Sequence, residues 1–130
     1  MSSIPINVGD AFLIDTPPNG QHLYIAIAQT SDTKYLFVNI TTRKPNSETV
    51  CILLPGADVP NFIVRESVVA YQYAREMDAT ILASLITSGS PIPKGNCSPA
   101  VLSKIQQGGL ISKRLKNKYK TLLKSYLGIV

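Results

Sequence analysis

Up to Asp78 the chain is built of apolar, β-branched segments that follow one another at short intervals, with no helical periodicity between them. Nothing else in the sequence constrains the fold as tightly. Parallel strands need crossovers of a dozen or more residues, usually helical, so strands this closely spaced must pair antiparallel. Five such segments are legible: Gly9–Asp15, His22–Thr30, Lys34–Thr41, Val50–Leu54 and Glu66–Arg75, each rich in the residue types that fit a half-buried pleat. Thr16-Pro-Pro-Asn-Gly20 is a loop by its turn chemistry, and Ser31–Thr33 is short enough for a hairpin. The polar run Thr42–Thr49 reads as a loop, Pro55-Gly56 ends the fourth strand, and Ala57–Ile63 reads as irregular. The expected product is a meander that curls into a small barrel.

After Asp78 the period changes. Asp78 is a candidate N-cap, Ile81, Leu82, Leu85 and Ile86 share a helical face, and Gly89 is a natural stop. Ser90–Cys97, with two prolines, Gly95 and Asn96, reads as a loop. Ser98 then caps a second helix with Pro99 at its first position, and Gly108-Gly109 is expected to end it. A last helix is predicted from Ser112 to Leu127, with Leu115, Tyr119, Leu122, Leu123 and Tyr126 as its apolar stripe. At 130 residues the chain can bury a core without staples. The reading is one domain over 1–130, mainly β (α+β), with a barrel part at 1–78. A basic helical extension, 79–130, packs on it as two or three C-terminal helices.

Charge is distributed as unevenly as periodicity. All eight acidic residues lie at or before Asp78, beside Lys34, Arg43, Lys44, Arg65 and Arg75. Beyond it come eight lysines and arginines and no acid. Seven of the thirteen basic residues fall between Lys104 and Lys124. A one-signed block attracts polyanions or an acidic protein. Three readings of the basic helix stand: contacts to nucleic-acid phosphates, docking on an acidic partner or anionic surface, or a solvated lysine face. The first is favoured, with Lys113, Arg114, Lys116 and Lys120 as its contacts.

Other features narrow the chemistry. Cys51 and Cys97 read as reduced thiols. No apolar run approaches the roughly 18 residues that span a bilayer, so no membrane partner is expected. Met1–Val8 lacks the basic and apolar regions of a leader, and a cytoplasmic location is the expectation. There is one histidine, His22, and no zinc, Walker or nucleophile-elbow motif, so neither metal nor cofactor is expected.

Acid–base chemistry without a cofactor remains. His22 opens a strand after a loop, where an imidazole can titrate near neutral pH. Arg43 and Lys44, beside the hydroxyls of Thr41 and Thr42, could stabilise a phosphorane. The plainer alternative is a surface histidine and a solvated turn. Glu66, Glu76 and Asp78 offer carboxylates for catalysis, but Glu66 reads as strand-flanking and Asp78 as helix-capping. Tyr71 and Tyr73 lie two apart and are expected on one face, where they could stack unpaired bases or simply pack.

The order of these segments resembles the MazF/PemK (Kid) family of toxin endoribonucleases. The elements are Gly9-Asp10-Ala-Phe-Leu-Ile-Asp15, His22-Leu-Tyr-Ile-Ala-Ile-Ala28, Asn39-Ile-Thr-Thr42 and the stretch from Ser67-Val-Val to Arg75 and Asp78, covering about residues 8 to 78. The resemblance implies an SH3-like barrel and a homodimer. It also implies single-stranded RNA and an antitoxin-like protein as partners, and toxin-antitoxin endoribonuclease activity. Carried over by position, the arginine that opens the second strand falls near His22, the strand-end threonine on Thr41 or Thr42, which would line the RNA groove, and the late arginine on Arg75. Together with the residue reading, this makes His22, Thr41 and Arg75 the catalytic candidates, and Thr42, Arg43, Lys44, Tyr71 and Tyr73 the expected RNA contacts. The acid–base Arg and Asp of some members fall on Ala70 and Gln72, so cleavage by that pair is not expected. A catalytically silent, protein-binding barrel is the alternative.

Overall fold

The computed structural model describes residues 6–15, 21–86 and 92–129. The predicted loop Thr16–Gly20 and the helix stop at Gly89 lie outside them. Six strands run β1 (Asp10–Asp15), β2 (Gln21–Gln29), β3 (Lys34–Thr42), β4 (Ile52–Leu53), β5 (Ser67–Asp78) and β6 (Ile92–Asn96). Three helices accompany them: α1 (Ala79–Ile86), α2 (Pro99–Ile111) and α3 (Asn117–Leu127). The strands form one antiparallel sheet in the order β4-β5-β3-β2-β1-β6. The mainly β, antiparallel architecture expected from the spacing of the segments is therefore present, with six strands instead of five.

The sixth strand corrects the reading of Ser90–Cys97 as a loop. Ile92, Pro93 and Asn96 pair with Leu13, Phe12 and Asp10 of β1. Proline is tolerated because β6 is an edge strand, with one side free of ladder bonds. The C-terminal part is thus not purely helical: it returns a strand to the sheet.

β2 and β3 are buried on both faces, which explains their nearly unbroken apolar runs. Leu23, Ile25 and Ile27 of β2, with Leu36, Val38 and Ile40 of β3, enter the main core, where Ile105 of α2 and Leu115 and Leu123 of the α3 region close it. Tyr24, Ala26 and Phe37 alternate onto the other face and meet Phe12, Ile6 and Leu82 of α1.

Two irregularities curl the sheet. Ala26 pairs with Phe37 and Ala28 with Leu36, leaving Ile27 as the extra residue of a bulge. Its carbonyl accepts a bond from the buried Gln106 side chain of α2 (2.9 Å), as a buried backbone acceptor outside the ladder requires. In β5, Asn39 pairs with Ala70 and Phe37 with Arg75, so the four residues Tyr71–Ala74 stand opposite Val38 alone.

The helix ends carry two further corrections. Gly108-Gly109 does not stop α2, which continues to Ile111. A Cβ on Gly108 would collide with the Tyr71 hydroxyl, and one on Gly109 would meet Leu123 Cδ2 at 2.9 Å. These glycines let α2 approach the sheet and α3 closely, which offsets their helix cost of about 1 kcal/mol each. Ser112, expected to start the last helix, instead closes the turn before it. Fully buried, it donates to Glu48 Oε1 (2.7 Å) and accepts from the amides of Arg114 and Leu115. The Lys113 amide bonds Glu48 Oε2 (3.0 Å), and α3 begins only at Asn117. The expected caps hold elsewhere: Ser98 Oγ accepts from the Val101 amide, and Asp78 Oδ1 accepts from the amides of Thr80 and Ile81. No helix among the described residues is long and apolar enough to cross a membrane.

Candidate functional site

The period of two that sends Leu23 and Ile40 into the core sends His22, Tyr24, Asn39 and Thr41 to the opposite face. At that end of the sheet α1 no longer covers them. They line a cleft of about 840 Å³. Gln72, Tyr73, Ala74 and Arg75 of the β5 irregularity form one flank; Lys116 and Tyr119, at the start of α3, and Lys44 of the β3–β4 loop complete the rim. Glu48 holds the turn that presents Lys116, through its two bonds to Ser112 and Lys113.

Two properties of this cleft bear on its chemistry. It is lined by His22, Lys44, Arg75 and Lys116 and by no carboxylate. Its polar side chains also make no hydrogen bond or ion pair to any described residue, although Tyr24 and Asn39 are only 3% and 4% exposed. No unpaired side-chain nitrogen or oxygen among the described residues is sealed from solvent, so these tips face the cleft. Arg75 lies over the Tyr24 ring, its Cζ 5.5 Å from the centroid, a cation–π contact that uses none of its N–H donors. Three cations outside the cleft are engaged. Arg43 pairs with Glu66 at 2.5 Å, Lys104 bonds the Ile52 carbonyl at 2.6 Å, and Arg114 bonds the Asn46 carbonyl at 3.1 Å.

Of the residues singled out from the sequence, His22, Thr41, Lys44, Tyr73, Arg75 and Lys116 come together here. Arg114 lines a smaller neighbouring hollow with Thr41, Lys44 and Tyr73, where Glu48 is also present. Thr42 lies on the other side of Thr41. Arg43, Lys113 and Lys120 line none of these three hollows. Tyr71 does not share a face with Tyr73. The four-residue irregularity turns Tyr71 inward, where it is 1% exposed and donates to the Ile105 carbonyl (2.7 Å), while Tyr73 is 60% exposed. The Tyr71 ring is core and presents no face to a base; burial pushes its phenol pKa up.

Ala70 is buried and Gln72 exposed, so neither position restores an acid or a base. Tyr24, Asn39 and Tyr119 were not foreseen as site residues. Their signal was present all the same: Tyr24 and Asn39 lie two residues from His22 and Thr41, and Tyr119 one helical turn from Lys116. The two thiols take no part in the cleft. Burial raises both, Cys97 to about 11. No cluster of three or more metal-ligating side chains occurs among the described residues.

No protein-family model matches this sequence, and no curated protein matches it. Among solved structures, the chain is similar to a chain of the MazE-MazF (Form-II) crystal structure from Deinococcus radiodurans, with a TM-score of 0.51. The likeness is one of fold. It extends over 99% of this chain and 100% of that one, at 13% sequence identity, so the C-terminal helices lie within the aligned architecture.

Proposed function

We propose that the chain is a MazF-like RNA-binding protein of toxin-antitoxin type, whose cleft holds the sugar-phosphate backbone of single-stranded RNA. The observation that carries this reading is the concentration of Lys44, Arg75, Lys116 and His22 in a cleft that no carboxylate lines, with their donors unengaged by the described residues. Outside it, Arg43 is tied to Glu66, and Lys104 and Arg114 to backbone carbonyls. A polyanion supplies what such a cleft lacks, and Thr41, Asn39 and Tyr24 offer neutral partners to ribose hydroxyls. Tyr73 and Tyr119 give aromatic surface at its rim.

Metal-independent cleavage at this site would run through His22, the one imidazole that lines the cleft, as proton carrier. Arg75 would stabilise the phosphorane. The test incubates labelled single-stranded RNA with the protein in EDTA, beside His22→Ala. If His22 is the proton carrier, the variant loses about 10²–10⁴ of the cleavage rate and keeps its affinity within a few-fold. Salt-sensitive binding with no cleavage in either protein defines a binding module. Absence of binding at low salt removes the reading.

A second reading, a silent barrel that binds an antitoxin-like protein, is favoured by Ala70 and Gln72 standing where an acid–base pair would act. The fold neighbour, a MazE-MazF structure, is consistent with it. Under either reading the chain is proposed to act as a homodimer, which sedimentation would test.

A further inference from the structure

His22 and Thr41 line a second hollow as well as the cleft. On its far side, about 510 Å³ in volume, it is built very differently. Leu23, Ile40 and Ile63 make an apolar floor, and the β4–β5 loop supplies the wall. That loop is anchored: Val59 and Ile63 are buried in the main core, and the Ile63 amide bonds the Pro60 carbonyl at 3.0 Å. Phe62 and Val64, between and beside these anchors, nonetheless stay 46% and 70% exposed. The side chains of Asn61 and Arg65 flank Phe62 and bond no described residue.

From this juxtaposition we infer that the hollow is a nucleobase subsite, in which one unpaired base of the RNA stacks on Phe62 while its backbone crosses the His22–Thr41 line. The inference rests on the RNA reading of the cleft and deepens it. A strand with phosphates among Lys44, Arg75 and Lys116 must put its bases somewhere. The hollow that shares His22 and Thr41 with the cleft offers an aromatic face, an apolar floor and polar edges. Stacking on an aromatic face suits any base. The Asn61 amide has both a donor and an acceptor, and Arg65 a donor fork, for the base edge. The loop's burial at Val59 and Ile63 fixes Phe62 without requiring order to be bought on binding.

The chain contains no tryptophan, so Phe62→Trp places a single indole in the hollow. Two probes are compared: a short single-stranded RNA and an abasic ribose-phosphate chain of equal length. The subsite predicts indole quenching by the RNA and none by the abasic chain, though both bind. Phe62→Ala should weaken RNA binding about tenfold and leave the abasic affinity unchanged. Unchanged melting of both variants is expected, because Phe62 is half-exposed. RNA binding that neither quenches the indole nor depends on Phe62 overturns the subsite and leaves the cleft reading intact. Failure of both probes to bind overturns the cleft reading and the subsite together. An acidic peptide that quenches the indole where RNA does not assigns the hollow to a protein partner and overturns the inference.

Discussion

The two faces of β2 and β3 are made from the same strands and differ by one step of the pleat. On one face Leu23, Ile25, Val38 and Ile40 are sealed by Ile105, Leu115 and Leu123. On the other, Tyr24, Ala26 and Phe37 are covered by Ile6, by Phe12 and, from α1, by Leu82; beyond that cover His22, Asn39 and Thr41 open into the cleft. The covered face satisfies itself. The open face places polar side chains on a buried backbone with nothing among the described residues to bond them, which leaves their tips open to the cleft. Substitutions should therefore sort by face: stability on one, binding on the other.

The largest effect is expected at the sealed face. Leu123→Ala removes a fully buried side chain and should cost about 2–5 kcal/mol in denaturant unfolding. Thr41→Ala, on the open face, should stay within about 0.5 kcal/mol. Equal costs would erase the distinction between the faces.

Alkaline pH should come next. Cys97 is buried and its thiol is pushed up to about 11, so the folded chain holds that proton after the unfolded chain, near 8.5, has lost it. Its contribution to stability is complete below the ordinary thiol range and is lost as pH rises through about 11. Cys97→Ala should flatten the fall in denaturation midpoint between pH 8 and 11 relative to the parent. An identical pH profile would contradict the sign or the site.

Glu48 sharpens the comparison from the side of positioning. Glu48→Ala leaves the Ser112 hydroxyl and the Lys113 amide without the carboxylate they bond. It should cost roughly 1–2 kcal/mol of stability. Because the same turn presents Lys116, RNA affinity should fall several-fold as well, although Glu48 lies outside the cleft. Lost stability with unchanged affinity would detach the turn from the site.

The fold was legible where local chemistry decides it. β-branched runs and turn residues mark β1, β2, β3 and β5, and Ser98-Pro99 marks the start of α2. It was illegible where distant contacts override local preference. Ile92–Asn96, with Pro93 and Gly95, looks like a loop and becomes a strand because β1 lies beside it. Gly108-Gly109 looks like a stop and becomes a close-packing surface for Tyr71 and Leu123. Tyr71 and Tyr73 look like a pair until Tyr71–Ala74 bulge against Val38. Within the site, His22 stood out as the sequence's one histidine, and Lys44 and Lys116 stood out by their charge in a polar loop and in an acid-free basic run. Tyr24 and Asn39 did not, since a nearly buried aromatic and amide inside an apolar strand read as packing.

The central claim is that the cleft's unengaged cations hold RNA phosphates, and two lysine- or arginine-to-alanine changes test it directly. Single-stranded RNA affinity is measured by fluorescence anisotropy across a salt series for the parent, Lys116→Ala and Arg43→Ala. With three or four phosphates neutralised, the parent's log–log salt slope should be about −2 to −3, at roughly −0.7 per contact. Lys116→Ala should flatten the slope by about 0.7, while Arg43→Ala, whose guanidinium is already paired with Glu66, should leave it unchanged. Equal effects of the two variants, or affinity indifferent to salt, would contradict the account.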